Sequence, residues 1–177
     1  MSSPYDSIAT LSRALDQTGD VLAAIHRDQL SDPTPCEDWD VAHLIGHVLG
    51  APGRFAEAVR GGDPDWGAPP EPVTSDWTAK FRSNADDLMH AWHQQEGQAE
   101  EGAADWQIAE FAVHTWDLVR ATGQDRPLAP DVAERGYAFM SKALTPENRG
   151  KAFEAEAEAP ADADPYDRIA AFAGRRL

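Results

Sequence analysis

Apolar side chains at Ile8, Leu11, Leu15, Leu22 and Ile25 recur at three- and four-residue steps, with Thr18 filling the gap, so they share one stripe of a helix over 6–27. Ser31-Asp-Pro-Thr-Pro-Cys36 follows. Its two prolines cannot sustain a regular helix, and the segment reads as a short loop. Asp40 then precedes Val41, Leu44, Ile45, Val48 and Leu49. Its carboxylate can accept a bond from a free N–H of a first helical turn, so a second helix starts near 41. Pro52 lacks the N–H that would continue the ladder, which predicts a kink or break, with Phe55 and Val59 in the far half. The stretch 61–72, rich in Gly, Pro and Asp, reads as a surface crossover.

Trp77, Phe81, Leu88 and Trp92 predict a third helix over 75–93, and the polar stretch 94–104 a loop. Ala109, Ala112, Val113, Trp116 and Val119 place a fourth helix over 106–122, with Gly123 as its C-terminal cap. A fifth, over 130–144, carries Val132, Tyr137, Met140 and Leu144, and Tyr166, Ile169 and Phe172 mark a final helical turn or two. Between them, 154–164 alternates alanine with acidic residues and reads as extended or loose. No strand alternation rivals these periods, so the class is all-α. Four long helices with one long crossover between the second and third pack most economically as a four-helix bundle, here with an additional C-terminal helix and one domain over 1–177.

Composition narrows the function. Hydrophobic residues at 42% and charged residues at 26% belong to a chain that folds. Fifteen Lys plus Arg against 31 Asp plus Glu give a formal charge of −16, which repels phosphate backbones and anionic lipid, so neither nucleic acid nor membrane is expected as a partner. Cys36 is the single cysteine, which rules out an intrachain disulfide and suits a reducing compartment. The opening MSSPYDSIATLSRAL has no basic end followed by an apolar run, and no stretch approaches the ~20 apolar residues of a membrane span. A cytoplasmic protein is expected.

Glu110 and His114 lie four residues apart on the fourth helix, one turn above another, so both can reach one ion. A carboxylate oxygen and an imidazole nitrogen are common ligands of zinc or nickel. His47 is the best third candidate, because Val41, Leu44 and Val48 turn its part of the second helix toward the core. Three protein ligands would leave positions open to water or substrate, as a catalytic ion requires.

Leu15-Asp-Gln-Thr-Gly19, Pro33-Thr-Pro-Cys-Glu-Asp-Trp-Asp-Val41, His47-Val-Leu-Gly50, Val113-His-Thr-Trp-Asp-Leu-Val-Arg-Ala-Thr-Gly123 and Asp167-Arg-Ile-Ala-Ala-Phe-Ala-Gly-Arg175 together resemble the signature segments of the actinobacterial mycothiol-dependent maleylpyruvate isomerase-like proteins, within the DinB-like metal-binding superfamily. The resemblance implies a four-helix bundle holding a divalent ion by one ligand on the second helix and two on the fourth. By position these are His47, Glu110 and His114. It also implies thiol chemistry, with mycothiol or a similar small thiol bound as thiolate and a small electrophile as its partner. A non-catalytic bundle binding metal or ligand for sensing, storage or partner docking is the alternative. Two features depart from the family pattern. The chain is too short for the further C-terminal domain of the full isomerase, and Gly102-Ala-Ala-Asp105 stands where a longer loop would line the pocket.

Other residues carry two readings each. Asp117 could hold a ligand imidazole in place, or form a plain intrahelical pair with Arg120. Trp39, Trp106 and Trp116 could wall a pocket or fill the core. His43 stands four before His47, and the pair alone could be read as a two-histidine metal motif, but its place near a polar helix start favours a solvent-facing or capping role. His26, His90 and His93 sit among polar neighbours near helix ends and are read as surface residues. No cationic neighbourhood is visible around Cys36, and its turn suggests a packed, inert thiol. A homodimer is possible, since exposed bundle faces often pair.

Overall fold

The computed structural model describes residues 4–36, 38–95, 98–150 and 153–177. Among the described residues six α-helices follow one another: α1 (Pro4–Ala23), α2 (Val41–Val59), α3 (Trp77–Gln94), α4 (Asp105–Thr122), α5 (Pro130–Ala143) and α6 (Pro165–Phe172). No strand is found among the described residues; an isolated bridge joins Pro33 and Asp40. The protein is an all-α bundle. In it α1 packs on α3 and α4, and α2 packs on the same two helices, which closes a ring of four; α5 covers α4 and α1, and α6 covers α5 and α4. Among the described residues, no helix is long and apolar enough to cross a membrane.

The first helix stops at Ala23, short of the expected 27. Ala24 and Ile25 tighten the last turn by bonding Val21 and Leu22, His26 turns extended, and Arg27–Gln29 form a single 3₁₀ turn closed by the Gln29 side chain on the His26 N–H (2.9 Å). Ile25 keeps its place in the core from that turn. Its apolar spacing therefore outlasts the helix that seemed to carry it.

Asp40 caps α2 as its position implied, accepting from the His43 N–H at 2.8 Å. The helix then runs on through Pro52 without the expected break. Side-chain donors serve carbonyls near the proline: Asn84 reaches Leu49 O at 2.9 Å and Arg54 reaches His47 O at 3.4 Å. Pro52 is itself buried on the face against the other helices, where packing holds the helical path. The crossover to α3 is laid directly on α2, with Glu71 N–H bonded to Gly46 O at 3.0 Å. A Cβ at Gly46 would stand 2.4 Å from the Glu71 carbonyl oxygen, so only glycine admits this contact.

Helix α4 is the central element. Ile108, Ala109, Phe111, Ala112, Val113, Thr115, Trp116 and Leu118 are all buried, because neighbours surround it on most sides. Thr18 and Thr115 are both fully buried, and their hydroxyls bond at 2.7 Å across α1 and α4, while Thr18 also bonds Ala14 O. Hence Thr18 fills its gap in the apolar stripe without an unpaired polar atom. Gly123 ends α4 in the left-handed region at φ 62°. The segment before α6 is irregular, as its alternating sequence suggested, and is pinned by Ala157 N–H to Ala171 O at 2.9 Å.

Candidate metal centre

His47 lies in the second turn of α2, and Glu110 and His114 lie one turn apart on α4. The two helices touch there, which brings side chains 63 residues apart into contact. His47 Nε2 stands 2.7 Å from Glu110 Oε1, and His114 Nε2 stands 3.3 Å from the same oxygen. The imidazole rings meet edge to face, with centroids 4.8 Å apart. One ligand atom from each of the three residues falls within 4.8 Å of the others.

Behind this cluster, His114 Nδ1 bonds Asp117 Oδ2 at 3.1 Å. Asp117 has no exposed surface, and it also accepts two bonds from Arg175, from Nε and Nη2, each at 3.1 Å. The Cys36 thiol donates to the same carboxylate at 3.1 Å and accepts from Arg175 Nη2 at 3.2 Å. Trp39 leans over the rings, its centroid 5.0 Å from that of His47, 6.2 Å from His114 and 4.5 Å from His43.

These contacts set the charges. Burial disfavours ionised Glu110, yet the charge on His114 and hydrogen bonds from both imidazoles outweigh it and hold the carboxyl well below the usual range. For His114 burial disfavours the cation, but the Glu110 charge and the Asp117 hydrogen bond outweigh it and raise the imidazole well above its ordinary value. Burial lowers His47, against the pull of its hydrogen bond to Glu110. Without a metal ion these contacts favour the protonated form of His114, which lies between two carboxylates, and the neutral form of His47.

Two cavities border the cluster. One, of about 840 Å³, is lined by Cys36, Trp39, His47, Glu110, His114 and Arg175 among others. The second, of about 230 Å³, lies between α4 and α5 and shares Glu110 and His114. Two imidazole nitrogens and one carboxylate oxygen, at the edge of open space, form a donor set suited to a zinc- or nickel-sized ion. Cys36, His114 and Asp117 form a second close trio of possible ligands. Arg175 already occupies that carboxylate and touches the sulfur, so a positive charge stands where an ion would sit. That trio instead orients His114 from behind.

A family model described as the mycothiol maleylpyruvate isomerase N-terminal domain matches residues 11–105. The chain belongs to this family. The matched span contains His47 and ends where α4 begins, so Glu110 and His114 lie beyond it. Similarity continues past that point in an "Uncharacterized protein Rv0738" of Mycobacterium tuberculosis, 30% identical over 97% of this chain and 99% of the relative. A shorter likeness, 37% identical over 49 residues, links 28% of this chain to 19% of another Mycobacterium tuberculosis protein, "Uncharacterized protein Rv0036c". No solved structure matches.

Not every residue singled out from sequence reaches this centre of the family fold. Asp117 contacts His114 rather than pairing with Arg120, whose guanidinium instead lies over the Trp116 ring at 5.1 Å. Trp116 is buried, bonds Asp167 at 2.8 Å and borders a separate cavity with Arg120, so neither lies beside the three candidate ligands. Trp39 and the 47% exposed Trp106 do line cavities at the cluster. His43 is half-buried against Trp39 rather than solvent-facing. Cys36 has a cationic neighbour after all. Arg175 lies 139 residues further along the chain, where local sequence gives no sign of it.

Proposed function

We propose that this chain binds a divalent metal ion, zinc or nickel, through His47, Glu110 and His114, and that it serves thiol chemistry with a mycothiol-type cosubstrate and a small electrophile. The observation that carries this reading is the convergence of three ligand-type atoms within 4.8 Å beside a cavity of about 840 Å³. Family membership supports a mycothiol-related, metal-binding role in coarser terms. A bound ion would lower the thiol pKa and present the sulfur as a nucleophile.

The chain's own residues supply the rest. Asp117 fixes the ring of His114 through Nδ1, leaving Nε2 directed at the cluster. Trp39 places its ring 5.0 Å from that of His47 and 6.2 Å from that of His114. The larger cavity offers room for the body of the thiol. In the reaction the thiol proton would pass to solvent, and the sulfur pair would form a bond to the electrophilic carbon. In isomerisation that addition would break the π bond of an electron-poor C=C and move its pair onto the conjugated carbonyl oxygen; after rotation about the resulting single bond the pair would return, the C–S bond would break and the thiolate would regain a proton from solvent. Transfer would end when the electrophile's leaving group departs with its bonding pair.

The test begins with metal analysis of protein purified without chelators, followed by calorimetric titration with zinc and with nickel. One ion per chain is expected for the parent, and none for Glu110→Ala with helical circular dichroism retained. Loss of free mycothiol in the presence of small electrophiles then reads turnover. A folded parent that takes up neither metal would overturn the reading. Metal uptake without turnover of any small thiol would favour a non-catalytic binding bundle.

A further inference from the structure

The smaller cavity differs in kind from the larger. It runs between α4 and α5 with walls from Trp106, Val113, Phe139, Met140, Leu144 and Phe153, and its ionisable side chains are Glu110 and His114. Those two are paired with each other at 3.3 Å, so no unpaired cation is available to receive an anion. A carboxylate or phosphate group would lose its hydration there without recompense. Alanines at 109 and 143 face the space, where longer side chains would fill it. A dry apolar cavity of ~150 Å³ accepts a benzene ring. The present one, about 230 Å³, has room for a ring with one or two substituents.

We infer that this pocket is the subsite for an uncharged apolar group of the electrophile, an aromatic ring or a branched alkyl group, whose reacting carbon is left at the Glu110 and His114 end. The position of the reacting carbon rests on the metal reading above. The class of group that the pocket takes rests on its walls alone. Away from that end the lining side chains carry no positive charge to meet an anionic group.

The chain has three methionines, and Met140 stands in the pocket wall while Met89 lies on α3, away from it. Methyl-labelled methionine therefore reports occupancy by NMR, with Met89 as the internal reference. Toluene is the probe and benzoate its charged counterpart, each titrated into metal-free and zinc-treated protein. Toluene is expected to shift the Met140 methyl saturably, and benzoate to bind the metal-free protein at least about tenfold more weakly. Ala143→Phe, at an exposed rim position, is expected to abolish the toluene shift, as is Leu144→Asp on the same rim. The inference is overturned if toluene leaves Met140 unmoved, if it moves Met89 equally, or if benzoate binds as well. Toluene has no metal-ligating atom, so the two readings fail separately. Toluene binding without zinc uptake sinks the metal centre alone, and zinc uptake without toluene binding sinks the subsite alone.

Discussion

Asp117 collects hydrogen bonds from His114, Arg175 and Cys36 while wholly shielded from water, so its carboxylate is fully engaged. Burial opposes its ionisation, but the hydrogen bonds from His114 and Arg175 keep its carboxyl below the ordinary value. Taking one member from a buried ion pair strands the other's charge, at a cost of about 3–5 kcal/mol. Asp117→Ala should therefore lower the unfolding free energy read from urea denaturation by an amount in that range, and a double variant with Arg175→Ala should recover part of the loss. If His114 serves as a metal ligand, Asp117→Ala should also weaken zinc binding about 10–100-fold by calorimetry. A variant as stable as its parent would show that the network contributes nothing. None of this was visible locally: Asp117 was legible only as a choice between His114 and Arg120, because both lie three residues away along α4.

At the scale of elements, α6 is the informative case. Eight residues are too few to hold a helix in isolation, so its stability comes from its contacts. Asp164 caps it through the N–H groups of Tyr166 and Asp167, and Trp116 donates to Asp167. Gln17 of α1 donates to the Tyr166 hydroxyl while its carbonyl accepts from Ala129 N–H at 2.9 Å, tying α1, α5 and α6 through one amide. Burial raises the Tyr166 phenol well above its ordinary value near 10. The folded state thus favours the protonated phenol more than the unfolded state does. This stabilisation is complete below pH ~10 and disappears as pH climbs toward the raised value. Denaturant unfolding followed from pH 9 to 11 should show a steeper fall for the parent than for Tyr166→Phe, and equal slopes would refute the assignment.

For the whole molecule, the formal charge of −16 sets mutual repulsion against a few exposed ion pairs. Arg13–Asp131, Arg60–Asp87 and Arg82–Asp20 are such pairs, and exposed pairs add little stability because water and salt screen them. Salt weakens both effects, but the 31 acidic groups against 15 basic ones make repulsion the larger. Raising sodium chloride from about 10 mM to about 300 mM should therefore raise Tm in a thermal scan. A fall would mean that the surface pairs dominate.

The sequence by itself determined the all-α class, the approximate spans of the helices, the Asp40 and Gly123 caps and the long connection between α2 and α3. These follow from apolar period, capping chemistry and glycine or proline content, all of which act within a few residues. It also nominated His47, Glu110 and His114, since a helix fixes which side chains share a face and a resemblance supplied the rest. Tertiary structure decided where periodicity misleads, as at Ile25, which stays in the core after its helix has ended, and at Pro52, where packing carries the helix onward. It alone brought Cys36 and Arg175 to Asp117, sent Trp116 and Arg120 to a different cavity, and opened the apolar pocket between α4 and α5. Contacts between residues distant in sequence depend on how helix faces meet in space, and local pattern does not encode that geometry.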